Sequence, residues 1–333
     1  MKIAVVLTVK NENRLLRNNL LYHDAIGVDR IFVYFDNTTD QGKESISDFE
    51  FVTINDSVSA KKYGHLHYLE KFTSQAREHH TARQCLNTFD AQQLCKKEGI
   101  DWLISLDADE LICTHFIKPS NLKSFFKGIA KNVEVVNFNT LEVLQRRESY
   151  GNVFLEETLF KQNRKLKNGR PIYKKLFNPF TETSTKFSWW YGQHLGKGAI
   201  RIDREIIPHN VHRFKRKDGS KADTLNKGNI LHYHAYDALD FIKKFTNFSD
   251  HPNTFLSGNK VESIKLLLRD IVNTSGMDVM ELKEYFKENL LFTEAEVKDL
   301  KKEKTYFLFK KLPSPLTEII SVQKVFKSLI LKK

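Results

Sequence analysis

Leu103-Ile104-Ser105-Leu106-Asp107-Ala108-Asp109-Glu110 is the stretch on which the reading of this chain turns. An apolar run ends abruptly in three carboxylates, Asp107, Asp109 and Glu110. A buried strand accounts for the apolar part, and open α/β sheets bind their ligands at the carboxyl ends of such strands. Asp107 and Asp109 are two residues apart, so an extended backbone would send both side chains to one face. Carboxylates sharing a face repel each other unless a cation lies between them. A divalent cation held there can in turn hold a diphosphate. The plainer reading of the same residues is a strand followed by an acidic turn or helix cap.

Outward from that stretch, strands and helices alternate. Lys2 to Val9 reads as a buried strand. Asn11-Glu12-Asn13 breaks it, and a helix follows with Leu15, Leu16, Leu20, Tyr22, His23 and Ile26 near helical spacing until Gly27. Arg30 to Asp36 is a second strand, running into Asp36-Asn37-Thr38-Thr39-Asp40, and Glu50 to Ile54 is a third. The spacing predicts a long helix over Ser74 to Lys97, then strands over Asp101 to Leu106 and Val133 to Phe138. This order predicts an α/β fold with a doubly wound, mostly parallel, Rossmann-like sheet. Such a sheet would gather the turns at Lys10 to Asn13, Asp36 to Asp40 and Asp107 to Glu110 in one crevice. Helices are expected over Asp237 to Asn247, Val261 to Asn273 and Val279 to Leu291. A last amphipathic helix, from about Ser314, sets Ile319, Ile320, Val322, Val325, Phe326, Leu329 and Ile330 against Lys324, Lys327, Lys332 and Lys333.

With 333 residues, 41% hydrophobic and 25 of them Phe, the chain can bury a substantial core and is not a disordered protein. Cys85, Cys95 and Cys113 form no CxxC pair, which suits a reducing compartment. The apolar start, Met1 to Leu7, is short for a signal peptide, and no apolar run approaches the ~20 residues that span a bilayer. A cytoplasmic protein is the expectation. The formal charge is +12, and fifteen Lys/Arg between Lys161 and Lys217 face only Glu182, Asp203 and Glu205. Such a stretch calls for an anionic partner. Nucleic acid is not the expected one, because the chain has no zinc-finger, RNP or helix-turn-helix signature.

Two later segments add chemistry. Leu231-His232-Tyr233-His234 on a strand would put both imidazoles on one face, an arrangement that suits Zn or Mn, although hydrogen-bonded strand histidines would look the same. A zinc hydrolase built on His232 and His234 is one rival that follows. Gly196-Lys197-Gly198-Ala199-Ile200-Arg201 sets Lys and Arg beside glycines, where they can approach phosphates closely, or it is simply a basic hairpin.

In this order the segments resemble those of bacterial glycosyltransferases of the family 2 and family 92 type, which have the GT-A fold. Lys10-Asn11-Glu12 opens as that family does, followed by Tyr22-His23 and Gly27-Val28-Asp29. Val33 to Asp40 resembles its Asp-Asn-x-Ser/Thr-Asp turn, and Trp102 to Leu111 its Trp-(apolar)-Asp-x-Asp-Glu strand. Lys197 and Arg201, with His209 and His212, resemble a further segment, as does His232-Tyr233 through Phe241 and Lys244. Tyr236-Asp237 departs from the family's usual Lys-Ser.

The resemblance implies a GT-A domain over residues 1–245, with a nucleotide-sugar half of about 1–140 and an acceptor half of about 141–245. Residues 246–333 would then be a helical C-terminal region. The implied activity moves a sugar from a nucleotide diphosphosugar, with UDP the commonest nucleotide, to a hydroxyl of a glycan or glycolipid such as a lipopolysaccharide core. It is usually dependent on Mn²⁺ or Mg²⁺ and often inverting. Lys10, Glu12, Asp36, Asn37 and Asp107 would meet the nucleotide sugar; Lys197 and Arg201 would meet the diphosphate or acceptor. Asp109, with Asp107, His232 and His234, would hold the metal. An inverting transfer also needs a carboxylate to take the acceptor proton. Glu157 and then Glu142 are the candidate bases, ahead of Glu156, Glu182 and Asp203. The basic stretch and the terminal helix would suit peripheral contact with the cytoplasmic face of an anionic inner membrane. A sugar nucleotidyltransferase of related fold is the alternative, but such enzymes carry a Gly-rich loop with Arg and Val9 to Arg14 has no glycine.

Overall fold

The computed structural model describes residues 1–162, 195–261, 263–302, 306–307, 310–311 and 316–331. Up to the acidic stretch the elements are β1 (Ile3–Val9), α1 (Asn13–Ala25), β2 (Arg30–Phe35), β3 (Val52–Asp56), α2 (Ala60–Tyr63), α3 (Glu70–Thr73), α4 (His80–Glu98) and β4 (Trp102–Leu106). There follow β5 (Glu110–Cys113), α5 (Leu122–Lys127), β6 (Val135–Val143), α6 (Val153–Glu156), β7 (Leu159–Gln162), β8 (Gly198–Arg201), β9 (Ile206–Asn210), β10 (Arg213–Arg216) and β11 (Thr224–His232). The C-terminal part holds α7 (Ala238–Asn247), α8 (Ser263–Thr274), α9 (Val279–Asn289), α10 (Glu294–Lys302), β12 (Tyr306–Phe307), β13 (Lys310–Lys311), β14 (Leu316–Glu318) and α11 (Ser321–Ile330).

Strands β3-β2-β1-β4 lie side by side and parallel. Every residue of β1 is buried, as expected of a parallel strand covered on both faces. Its side chains alternate. Ile3, Val5, Leu7 and Val9 pack with Leu15, Leu16 and Leu20 of α1, while Ala4 and Val6 pack with Ala82, Cys85 and Leu86 of α4. This is the doubly wound arrangement that the alternating sequence predicts.

Beyond β4 the sheet is mixed. β8 runs antiparallel between β4 and β6, and β7 and β14 continue antiparallel from β6. β11 pairs parallel with β6 and antiparallel with β5, with His232 beside both Glu142 and Glu110. That placement brings the end of β11 to the acidic turn after β4. The long ladders are parallel, so the mixed α/β class with a mostly parallel core stands.

Three details differ from the sequence reading. The helix expected from Ser74 begins at His80, because His79 is extended; the short α3 before it ends at Thr73. The last helix, expected from about Ser314, starts as α11 at Ser321; Leu316–Glu318 is a strand on β7, and Ser314 lies outside the described residues. The apolar face of α11 is also taken by the protein itself. Ile319, Val322, Val325 and Phe326 are buried, and the Phe326 ring stacks on Tyr22 and Phe154 at 5.9 Å from each. Most of the apolar surface expected to meet a membrane is therefore covered, while Ile330 and Leu331 stay exposed, and Lys332 and Lys333 lie outside the described residues. Among the described residues no helix is long and apolar enough to cross a membrane.

Gly196 is a close-approach glycine. A Cβ there would lie 1.6 Å from the main-chain oxygen of Phe138, whose own N–H donates to Lys197 O at 2.9 Å. Gly196→Ala must push β6 and the Lys197 segment apart, and should cost about 3 kcal/mol in urea unfolding, at the upper end of overpacking penalties. An unchanged unfolding midpoint would contradict this packing.

Candidate functional site

The turn after β4 is tight, with Glu110 N donating to Asp107 O at 3.0 Å. Asp107 and Asp109 therefore do not share one face of an extended strand as expected; each goes to different partners. Asp107 Oδ2 is 2.8 Å from Lys197 Nζ, and its Oδ1 accepts from Gln84 Nε2 at 2.5 Å. Asp109 Oδ2 faces His232 Nε2 at 3.2 Å and also meets Lys244 Nζ. Glu110 turns inward and accepts from Asp107 N at 2.8 Å, so it shapes the turn. Its burial, opposed by Lys197, raises its carboxyl to about 8.

Two elements supply the imidazoles. His232 ends β11, and its Nδ1 lies 2.9 Å from Glu142 Oε1 on the neighbouring β6. Burial disfavours the imidazolium, but Asp109 and Glu142 on either side outweigh it and raise His232 to about 10. His234 lies in the turn beyond the strand. Ala235 follows with φ 46°, a left-handed conformation costly for a residue with a Cβ. The turn keeps the His234 ring on that of His232, with centroids 5.2 Å apart. Burial, with Lys244 and His232 nearby, holds His234 well below the usual imidazole range.

Among the described residues, Asp109, His232 and His234 are the group whose ligand atoms lie within 4.8 Å of one another. One carboxylate and two imidazoles make a donor set that suits Mn²⁺ and similar ions. Glu142 on Nδ1 leaves Nε2 of His232 directed at Asp109, as carboxylates do behind metal-binding histidines. These residues fit a divalent cation. Asp107, expected as a fourth ligand, is outside that group because Lys197 and Gln84 hold it.

The helix expected over Asp237 to Asn247 is α7, and it lies across the strand ends; sequence reasoning missed that its polar face belongs to the site. Asp237 caps it by accepting from Asp240 N at 2.8 Å, and Arg14 of α1 clamps the same carboxylate at 3.1 and 2.7 Å. Tyr236-Asp237, the departure from the family's segment, is thus a helix start. From there Asp240, Lys243, Lys244 and Asn247 line one face at spacings of three and four. Lys243 Nζ reaches Glu12 at 2.6 Å and Asp240 at 2.7 Å. Asn247 exchanges with the β1 end, accepting from Asn11 Nδ2 at 3.1 Å and donating to Lys10 O at 3.2 Å. The period-3.6 polar face was the available signal, visible as Asp240-x-x-Lys243-Lys244-x-x-Asn247.

The residues expected to meet a nucleoside divide. Glu12 is partly buried beside Lys243, and burial, opposed by Lys243 and Lys244, raises it to about 7. Asn37 is exposed with φ 53° at the end of β2. Asp36 is not open: its carboxylate accepts from Arg83 Nε at 2.7 Å and Nη2 at 2.9 Å, with His80 Nδ1 at 3.5 Å. Burial would raise it, but His80 and Arg83 hold it well below the carboxylate range.

Three expectations are corrected. Arg201 stands at the far end of antiparallel β8, opposite Trp102 at the start of β4, and donates to the main-chain oxygens of Val133, Ile129 and Ala130. It stacks on the Trp102 ring and does not reach the crevice. Glu157 is occupied by Arg146 at 3.1 and 2.7 Å, Tyr150 Oη at 2.7 Å and the N–H groups of Thr158 and Leu159. Glu142 is bonded to His232, so both candidate bases are engaged by other groups of the protein. Glu182, with Arg164, Lys165, Lys167, Arg170, Lys174, Lys175 and Lys186 of the basic stretch, lies outside the described residues.

Comparison with known proteins follows this geometry. Residues 7–263 match the profile of glycosyltransferase family 92. Two Arabidopsis thaliana proteins, both described as glycosyltransferase-like, are similar in sequence. One is 24% identical over 64% of this chain and 49% of its own length; the other is 28% identical over 45% and 29%. This chain therefore spans half or less of those relatives. A glucosyl-3-phosphoglycerate synthase from Mycobacterium tuberculosis, crystallised with Mn²⁺, UDP and glucosyl-3-phosphoglycerate, is similar at 13% identity over 75% of this chain and 81% of that one. Its TM-score is 0.32.

The Asp36–Arg83 pair makes a pH prediction. A carboxyl held low in the fold contributes stability above the unfolded value of ~3.9 and loses it as pH falls. Arg83→Met should cost about 3 kcal/mol at pH 7, because it leaves a buried carboxylate without its partner. The deficit should shrink below about pH 4, where a protonated Asp36 no longer needs Arg83. Urea unfolding of both proteins from pH 3 to 7 checks this; a deficit independent of pH would refute it.

Proposed function

Because this chain belongs to glycosyltransferase family 92, we propose that it is a metal-dependent glycosyltransferase. In this reading it takes a sugar from a nucleotide diphosphosugar and passes it to a hydroxyl of a glycan or glycolipid. The observation that carries the reading is the group Asp109, His232 and His234, with ligand atoms within 4.8 Å, at the carboxyl ends of the strands. Asp109, His232 and His234 would hold Mn²⁺ or Mg²⁺. A bound divalent cation would neutralise the diphosphate and make it a better leaving group.

The chain's own residues do the rest. Glu142 fixes the ring of His232, and Lys197 with Gln84 fixes Asp107 beside it. Asp107 is a third exposed where Asp109 is almost fully covered, so Asp107 is the carboxylate able to accept from a ribose hydroxyl. Lys10, Glu12 and Asn37 rim the nucleoside end, with Asp36 positioning Arg83 and His80 behind them. UDP is the first nucleotide to test on the family resemblance. A surface-glycan acceptor such as a lipopolysaccharide core rests on the family resemblance alone.

A thermal-shift panel of UDP-, GDP-, CMP- and ADP-sugars with and without Mn²⁺ tests the reading. A binder at ~100 times its dissociation constant adds ~2.7 kcal/mol of stability. The expected result is a shift that needs both Mn²⁺ and one class of nucleotide sugar, and that disappears in Asp109→Asn while the variant still melts cooperatively. No metal-dependent shift with any nucleotide sugar would sink the proposal.

A further inference from the structure

α7 sets two adjacent lysines over the crevice, and their surroundings differ. Lys243 sits between Glu12 and Asp240, neither of which belongs to the candidate metal group. Lys244 Nζ instead meets Asp109 Oδ2, the same oxygen that faces His232 Nε2 at 3.2 Å. An ammonium on that oxygen and a divalent cation held by the same carboxylate are competitors, because each is there to neutralise one negative charge. The contest is local. Asp109 is almost fully covered, so water screens little of it.

Lys244 is built to yield. Its ammonium is a point charge on a flexible four-carbon stem, unlike the fixed fork of an arginine. It springs from a helix anchored elsewhere, by Asp237 on Arg14 and by the Phe241 and Phe245 face against α8 and α9. The lysine can therefore leave Asp109 without moving α7. A nucleoside diphosphate entering beside Asp109 would offer it new oxygens at the moment it is displaced.

We propose that Lys244 is an exchange cation: it neutralises Asp109 before the donor arrives and passes to the donor's diphosphate when a metal ion takes Asp109. The proposal rests on the donor-site reading above and deepens it. It makes metal and nucleotide cooperative, since each raises the other's affinity by releasing or recruiting the same lysine. It also makes metal binding weak until a diphosphate is present.

Mn²⁺ binding to the full chain, measured by the electron paramagnetic resonance of free Mn²⁺ near pH 7, is the test. It is run alone and with UDP, GDP, CDP or ADP, on the unaltered chain and on Lys244→Met, Lys244→Arg and Lys243→Met. Lys244→Met should bind Mn²⁺ alone about fivefold or more tighter than the unaltered chain, and should lose about tenfold of the enhancement that the nucleotide gives. Lys244→Arg keeps the charge and should not gain affinity for the metal alone. Lys243→Met, whose partners are not metal ligands, should not gain it either. Circular dichroism checks that each variant is folded, with Lys244→Gln replacing Lys244→Met if the latter is not. If the unaltered chain binds Mn²⁺ with a nucleotide but Lys244→Met gains nothing for the metal alone, Lys244 is a fixed ion-pair partner and the inference fails while the donor-site reading stands. A gain in metal affinity with the full enhancement retained overturns the transfer to the diphosphate. If no nucleotide raises Mn²⁺ affinity in the unaltered chain, the donor-site reading falls and takes this inference with it.

Discussion

The contact between Asp109 and His232 is the joint on which the site depends. Asp109 belongs to the turn after a parallel strand, and His232 ends a strand from the other half of the sheet. Main-chain pairing holds them in place: β11 lies against β5 with His232 beside Glu110, and Tyr233 N donates to Asp109 O at 2.8 Å. Five charged or ionisable side chains then stand in sequence, Lys197, Asp107, Asp109, His232 and Glu142, with Lys244 on Asp109 from above. Each buried charge has an opposite neighbour, and that pairing is what allows so many to be covered at all. Removing any one would leave its neighbour uncompensated, so the cluster behaves as a unit.

α7 closes the crevice from the third side, and its two faces divide the labour. Ala238, Phe241 and Phe245 pack into the small core formed with α8 and α9. Asp240, Lys243, Lys244 and Asn247 turn to the strand ends. The Arg14–Asp237 clamp fixes where this polar face falls, since it ties the first residue of α7's cap to the helix that follows β1. The C-terminal helices thus bear on the site by holding α7, and Lys265 of α8 adds its charge near His234 and Glu142.

The parallel half of the fold was legible because its strands are short runs of Val, Ile and Leu bounded by polar turns, and such runs have few alternative uses. The crevice at their carboxyl ends followed from topology, and His232 was legible as one of a His-x-His pair. What sequence spacing could not give was direction. Asp107 and Asp109 are two apart, but a turn separates their targets. His232 and His234 are two apart, and their rings do stack, yet only because Ala235 bends the chain after the strand has ended. Glu157 looked like a free carboxylate and proved to hold Arg146, Tyr150 and two main-chain N–H groups. Partners contributed from far along the chain are invisible to a local pattern.

Charge misled most, and the reason is general. A count of Lys and Arg does not distinguish a cation offered to a partner from one consumed by the fold. In the described part of the basic stretch, Lys161 and Lys197 are buried, and Arg201 and Arg213 donate to main-chain oxygens. Arg216 pairs with Glu134 and Asp223, and Lys217 lies near Glu205. Little of the positive charge of these named residues is left over for a membrane or a polyanion. The cations that matter at the crevice are instead Lys197, Lys243 and Lys244, each set against a particular carboxylate. In the proposed exchange, an incoming anion would have to offer a lysine at least as much as the carboxylate it leaves. A diphosphate that arrives with a divalent cation can do so, because the cation satisfies the carboxylate that the lysine gives up.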